Sequence, residues 1–217
     1  MKGDEAIRER LRHVYWIGGG SGAGKSTVAA ALADRYGLQR YGTDESMPDH
    51  ARRTTAAEAP YLHEFKGMSM DERWLDRSPE VMLETFHWFR GEGFDLIVED
   101  LLAMPPDQGI VVEGFRLLPG LVAPLLADRR QAVWMLPTAD FRAFAVDKRA
   151  KATGRPGFIH QTSDPERAGR NLAERERMFA ERLREETREL GLQAITVDAA
   201  VPESESVRRV AALFGLA

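Results

Sequence analysis

The stretch His13-Val14-Tyr15-Trp16-Ile17-Gly18-Gly19-Gly20-Ser21-Gly22-Ala23-Gly24-Lys25-Ser26-Thr27 decides the fold. Within it, Gly19 to Ser26 fits G-x-x-x-x-G-K-[ST], a β-favouring run precedes the motif, and an alanine-rich helical stretch from Lys25 to about Tyr36 follows it. Strand, glycine loop and helix in that order suit a polyphosphate. Several backbone N–H donors must come close to the anion, and glycine allows this because it has no Cβ and takes positive φ at little cost. The helix N-terminus adds its dipole. Gly19, Gly20, Ser21, Gly22, Ala23, Gly24, Lys25, Ser26 and Thr27 are therefore the candidate nucleotide-binding residues. Lys25 is assigned to the β- and γ-phosphates and Ser26 to Mg²⁺. No guanine-reading N-K-x-D occurs in the sequence, so ATP is the expected nucleotide.

Working outward, Gly37 closes the first helix and Leu38 to Tyr41 reads as a second strand ending at Gly42-Thr43-Asp44. Ile110-Val111-Val112-Glu113, stopped by Gly114, has the unbroken apolar character of a buried parallel strand. Ala132 to Leu136 and Gln193 to Val197 supply the fourth and fifth. Between them, Ser78-Pro79-Glu80 opens a helix predicted to run to about Arg90, and further helices span Phe94 to Met104, Leu117 to Leu126, Ala139 to Lys151, Glu166 to Leu190 and Ser204 to Phe214. In the long helix from Glu166, Leu172, Phe179, Leu183 and Leu190 share one face and the Glu and Arg residues of the other read as a solvated surface. Residues 45–78 read as helices broken by loops, and 152–166, rich in Gly, Pro, Thr and Ser, as a mobile loop. Strands alternating with helices predict an α/β fold: one domain over 1–217 with a five-stranded parallel sheet and helices on both faces.

Composition narrows the partners. With 217 residues, 43% hydrophobic and 29% charged, the chain has the makings of one packed domain. Thirty basic against 34 acidic side chains give a net charge of −4, which excludes an electrostatic footprint for nucleic acid or a polybasic membrane patch. An anionic ligand must then be held locally. The absence of cysteine removes disulfides, thiolate metal sites and cysteine nucleophiles. The five histidines lack metal-ligand spacing, leaving Mg²⁺ as the expected metal. Met1 to Arg12 is charged without the apolar core of a signal peptide, and no stretch approaches the ~20 apolar residues of a membrane span, so a cytoplasmic location is expected.

In element order over nearly its whole length the sequence resembles the small P-loop kinases, the superfamily of nucleoside monophosphate kinases, shikimate and gluconate kinases and chloramphenicol phosphotransferase. The phosphate loop is the specific match. The resemblance implies a P-loop NTPase three-layer sandwich with an acceptor-binding insertion over about 45–78 and a lid over about 152–170. Glu113-Gly114-Phe115-Arg116 is similar to the D-G-F-P-R segment of adenylate kinases, with Glu for Asp and without the proline. It implies Glu113 near Mg²⁺ and Arg116 facing the acceptor. Asp44, after the second strand, is the general-base candidate, with Glu45 beside it as the alternative. Arg155, Arg167 and Arg170 are the lid candidates, of which Arg155 and Arg170 are taken as catalytic. His50 and Arg53, with Arg52 beside it, are candidate acceptor contacts. The expected function is ATP- and Mg²⁺-dependent phosphoryl transfer to a hydroxyl of a small non-nucleotide metabolite or natural product. The alternatives are a nucleoside or nucleotide acceptor, a P-loop NTPase switch, and a nucleotide-binding protein without catalysis.

Overall fold

In a computed structural model, which describes residues 2–153 and 157–216, five strands form one parallel sheet in the order β2-β3-β1-β4-β5. They are β1 (Val14–Gly19), β2 (Gln39–Gly42), β3 (Ile110–Glu113), β4 (Ala132–Pro137) and β5 (Gln193–Val197). The helices are α1 (Lys2–Arg10), α2 (Lys25–Tyr36), α3 (Thr43–Arg53), α4 (Pro60–Gly67), α5 (Met70–Trp74), α6 (Pro79–Thr85), α7 (Phe94–Ala103), α8 (Pro119–Val122), α9 (Ala139–Thr153), α10 (Pro165–Glu189) and α11 (Glu203–Phe214).

The three inner strands β3, β1 and β4 are almost wholly buried, which explains their unbroken apolar runs. Their side chains divide between the faces with period two. Ile17, Val111, Val133 and Met135 meet Val28 and Leu32 of α2 and Val210 and Phe214 of α11. Trp16, Val112 and Trp134 point the other way, toward Ile97 and Leu101 of α7 and Phe179 and Leu183 of α10. The register sets Glu113 opposite both Ile17 and Gly42, so β1, β3 and β2 present their carboxyl ends at one level.

Three segments depart from the sequence reading. The N-terminal charged segment forms α1, which the sequence analysis did not anticipate. The helix expected from Ser78 to Arg90 ends at Thr85, and a 3₁₀ turn, His87–Arg90, follows an extended Phe86. Phe86, His87, Trp88 and Phe89 are all buried, and four consecutive side chains cannot share the apolar stripe of one α-helix. Within the expected loop over 152–166, of which residues 154–156 lie outside the described residues, helical turns occupy part of the described stretch. α9 continues through Thr153, Phe158–Gln161 form a 3₁₀ turn, and Asp164 caps α10 by accepting from the Arg167 N–H at 3.0 Å. Phe158 rests on Trp74 with ring centroids 4.9 Å apart, which ties this segment to α5. No helix among the described residues is long and apolar enough to cross a membrane.

Candidate active site

The chain leaves β1 toward β2 through α2 on one face of the sheet, and leaves β3 toward β4 by way of α8 on the other. The crevice at the carboxyl ends of these adjacent strands is a topological switch point, where open α/β sheets bind ligands. It is lined by Ser21 to Thr27 together with Asp44, Glu113 and Phe115. The loop's glycines serve different needs. At Gly19 a Cβ would fall 2.0 Å from the Met135 carbonyl oxygen, so only glycine lets the loop leave β1 beside β4. Gly22 and Gly24 both take φ 78°, and around Gly24 the space a Cβ would occupy is open for 4 Å. Lys25 is buried at the head of α2, and its Nζ donates to the Gly20 carbonyl at 2.8 Å, folding the ammonium over the loop.

Opposite the loop stand two carboxylates. Glu113, 5% exposed, hydrogen-bonds the Ser26 hydroxyl. Burial pushes its carboxyl up; the Ser26 hydroxyl, the Lys25 ammonium and the Arg40 guanidinium 3.7 Å away pull it back, while the neighbouring Asp44 adds to the rise. Arg40 also pairs with Glu45. Asp44 is exposed in the first turn of α3. Gly114 sets the separation between these acids, because the Thr43 side chain lies where its Cβ would be, so the backbone after β3 packs directly against that side chain at the start of α3. The set of Ser26 hydroxyl and Glu113 carboxylate fits Mg²⁺, which takes one or two hard oxygen donors from protein and completes its shell with water and phosphate oxygens. Among the described residues no group of three or more His, Asp or Glu side chains converges as a metal site of its own.

The structure thus brings together the phosphate loop, Asp44 and Glu113. It does not bring the other candidates to this cleft. His50 is fully buried and its Nε2 lies 2.9 Å from Asp100, which also accepts from the Tyr41 hydroxyl at 2.6 Å and from Arg53 at 3.1 Å. Burial raises the Asp100 carboxyl, but these three donors outweigh it and hold it below the usual range. Arg53 further binds Glu99 at 2.7 Å, so its guanidinium fastens α3 to α7. Arg116 lies inside the protein, donating to the Thr43 and Gly93 carbonyls and lying 4.1 Å over the Trp88 ring. Arg170 is exposed and pairs with Glu166 one turn away at 2.6 Å, and Arg167 is exposed as well. Arg155 lies outside the described residues.

Two solved structures resemble the chain. Both are of deoxyadenosine kinase from M. mycoides. The one with bound dCTP is 12% identical with a TM-score of 0.47, covering 93% of this chain and 98% of that one. The one with the products dCMP and a flexible dCDP is 13% identical with a TM-score of 0.48 and the same coverage. No family model and no curated protein matches the chain.

Three arginines of structural weight went unremarked in the sequence. Arg40 ends up beside Glu113 because β2 and β3 run in register. Arg142, on α9, lies over the phosphate loop: its Cγ would be 3.6 Å from a Cβ at Gly22. Burial lowers its pKa, as does Arg175, while Glu176 raises it. Arg175 itself is buried in α10, among aromatic rings. No local pattern marks these residues. In sequence Arg175 sits among the charges of a helix face that reads as solvated, and Arg142 in a helix that no motif marks.

Proposed function

We propose that this chain is a P-loop kinase that transfers the γ-phosphoryl group of ATP to a hydroxyl of a small molecule. The observation that carries the reading is the meeting of Asp44 and Glu113 opposite Ser26 and Thr27, in a crevice that otherwise consists of phosphate loop. The loop N–H groups and the α2 dipole receive the phosphates, and Lys25 turns from the Gly20 carbonyl to the β- and γ-oxygens. Ser26 and Glu113 hold Mg²⁺, which when bound neutralises and orients the phosphates. Asp44, exposed at the mouth, accepts the proton of the attacking hydroxyl. Phosphoryl transfer needs positioning and charge stabilisation more than covalent help, and the residues present supply those.

The acceptor class proposed first is a non-nucleotide metabolite or natural product. Phe115 at the cleft favours a second reading, a nucleoside, whose base would lie against that ring. The deciding experiment is an ATP-consumption screen over sugars, sugar acids, nucleosides, nucleotides and hydroxylated natural products, with product mass measured. A kinase consumes ATP slowly alone and much faster with its acceptor. Brisk turnover without any acceptor, or stimulation by a protein only, identifies an NTPase switch instead. Asp44→Asn is expected to retain nucleotide affinity while kcat falls by about 10²-fold or more. A variant with weakened Mg·ATP binding and normal turnover at saturation would place Asp44 in the metal shell and refute its role as base.

A further inference from the structure

Arg40 stands on the edge strand β2, where its register partner is Val111. Glu113 is matched instead with Gly42, two residues further along the same face of β2. Because Gly42 has no side chain, the Arg40 guanidinium can lie along the strand past it: a Cβ there would be 3.2 Å from Nη2 of Arg40 and 3.1 Å from Oε1 of Glu45. Over this gap Nη2 of Arg40 donates to Glu45 in the first turn of α3 and lies 3.7 Å from Oε1 of Glu113. The first contact is a hydrogen bond. The second is too long for one and acts by charge alone.

Glu113 is thus approached from two sides. Ser26 and Lys25 face it from the phosphate loop, and Arg40 reaches it from the sheet edge, outside the residues that line the crevice. The Arg40 side chain is 35% exposed and that of Glu45 70%, so both can shift without disturbing the core. A guanidinium beside Glu113 and a divalent cation on it would repel each other, since both are positive and claim one carboxylate. Resting on the phosphoryl-transfer reading above, which gives Ser26 and Glu113 to Mg²⁺, we infer that Arg40 is a positioning residue that competes with the metal for Glu113, and that Glu45 is the anchor that holds Arg40 off. In the metal-free protein Arg40 neutralises the buried acid at long range. When the divalent cation is bound, Glu45 keeps the guanidinium to itself, so the balance between the two acids sets how tightly the metal is held.

The test titrates Mn²⁺ into the full chain saturated with ADP, at one fixed, mildly alkaline pH, and reads free Mn²⁺ by electron paramagnetic resonance. Mn²⁺ serves as the probe because it takes the same oxygen donors as Mg²⁺. Arg40→Met is expected to bind Mn²⁺ about fivefold or more tightly than the wild type, and Glu45→Gln about fivefold or more weakly. Arg40→Lys, which keeps the charge, should stay closer to the wild type than Arg40→Met does. In the double variant Arg40→Met/Glu45→Gln the Glu45 change should cost less than about twofold, because nothing remains for it to hold. Arg35→Met removes the same charge from the exposed far end of α2 and should stay within about twofold of the wild type. Unchanged or weakened Mn²⁺ binding in Arg40→Met overturns the inference, as does a Glu45→Gln effect of equal size with and without Arg40. So does Arg35→Met matching Arg40→Met, which would reduce the effect to overall charge. Should Arg40→Met not fold, Glu45→Gln decides, and wild-type affinity in that variant refutes the anchor. The expected pattern in a chain that phosphorylates no acceptor supports the competition and counts against the kinase reading alone. A wild type that binds ADP but no Mn²⁺ overturns the inference and leaves the phosphate loop standing.

Discussion

At Gly114 the backbone takes φ 155°, and a Cβ would sit 1.7 Å from Thr43 Oγ1 and 2.9 Å from its Cβ. That contact joins the end of β3 to the start of α3 and so sets Glu113 beside Asp44. Gly114→Ala is expected to cost at least ~2 kcal/mol from backbone strain and overpacking, read as a fall in the urea midpoint at unchanged slope, and to depress turnover further by parting the two acids. Adding Thr43→Gly should recover part of the stability, since it removes the colliding side chain; no recovery would place the strain in the backbone alone. At this scale the phosphate loop was legible in the sequence because a single contiguous motif carries its chemistry. Arg142 and Arg175 were not, because their surroundings come from segments far apart in the chain: Gly22 for one, and Trp74, Phe86 and Phe89 for the other.

Among elements, the 3₁₀ turn His87–Arg90 has a pH-sensitive setting. Burial, reinforced by Arg116, Arg175, Arg73 and Arg77, lowers His87 from 6.5 to about 3. The folded state thus refuses a proton that the unfolded chain accepts below pH 6.5. This stabilisation is complete above pH 6.5 and is lost as the pH falls toward 3, at up to ~1.4 kcal/mol per pH unit. His87→Leu is expected to flatten the fall of stability between pH 6 and 4 in denaturant titrations, whatever its effect at neutral pH. An unaltered slope would show that His87 is protonated in the fold. In α10, Arg170→Ala removes only an exposed pair with Glu166, so stability should change by less than ~0.5 kcal/mol. Most strands and long helices could be read from the sequence because periodicity and caps are local. The turn at Phe86 could not, since it is imposed by aromatic neighbours such as Phe65, Phe115 and Phe179.

For the molecule as a whole, a net charge of −4 must coexist with a proposed polyanionic substrate. The structure reconciles the two by local means: loop N–H groups, Lys25 and the start of α2 face one crevice while acidic and basic side chains neutralise each other elsewhere. Mg·ATP at about 100 times its Kd is expected to stabilise the fold by ~2.7 kcal/mol, visible as a raised Tm. Lys25→Ala should lose most of that increment and its turnover while keeping the ligand-free Tm within a few degrees. An increment undiminished in Lys25→Ala would remove the loop from nucleotide binding.

The helix that carries Arg175 also has a mechanical consequence. α10 is 25 residues long, packs on β4, β5 and α8, and meets α5, the turn at Phe158 and α6, the last also through the Arg182–Glu84 pair toward its carboxyl end. Treated as a rigid rod of ~37 Å, it is a lever: a tilt of about 10° about its carboxyl end sweeps Pro165 through ~6 Å and Arg175 through ~4 Å. Small angular play at the sheet is thereby geared into ångström-scale travel beside the cleft, and the stacked pair Phe89 and Phe179, 3.6 Å between centroids, lies where it acts as the brake.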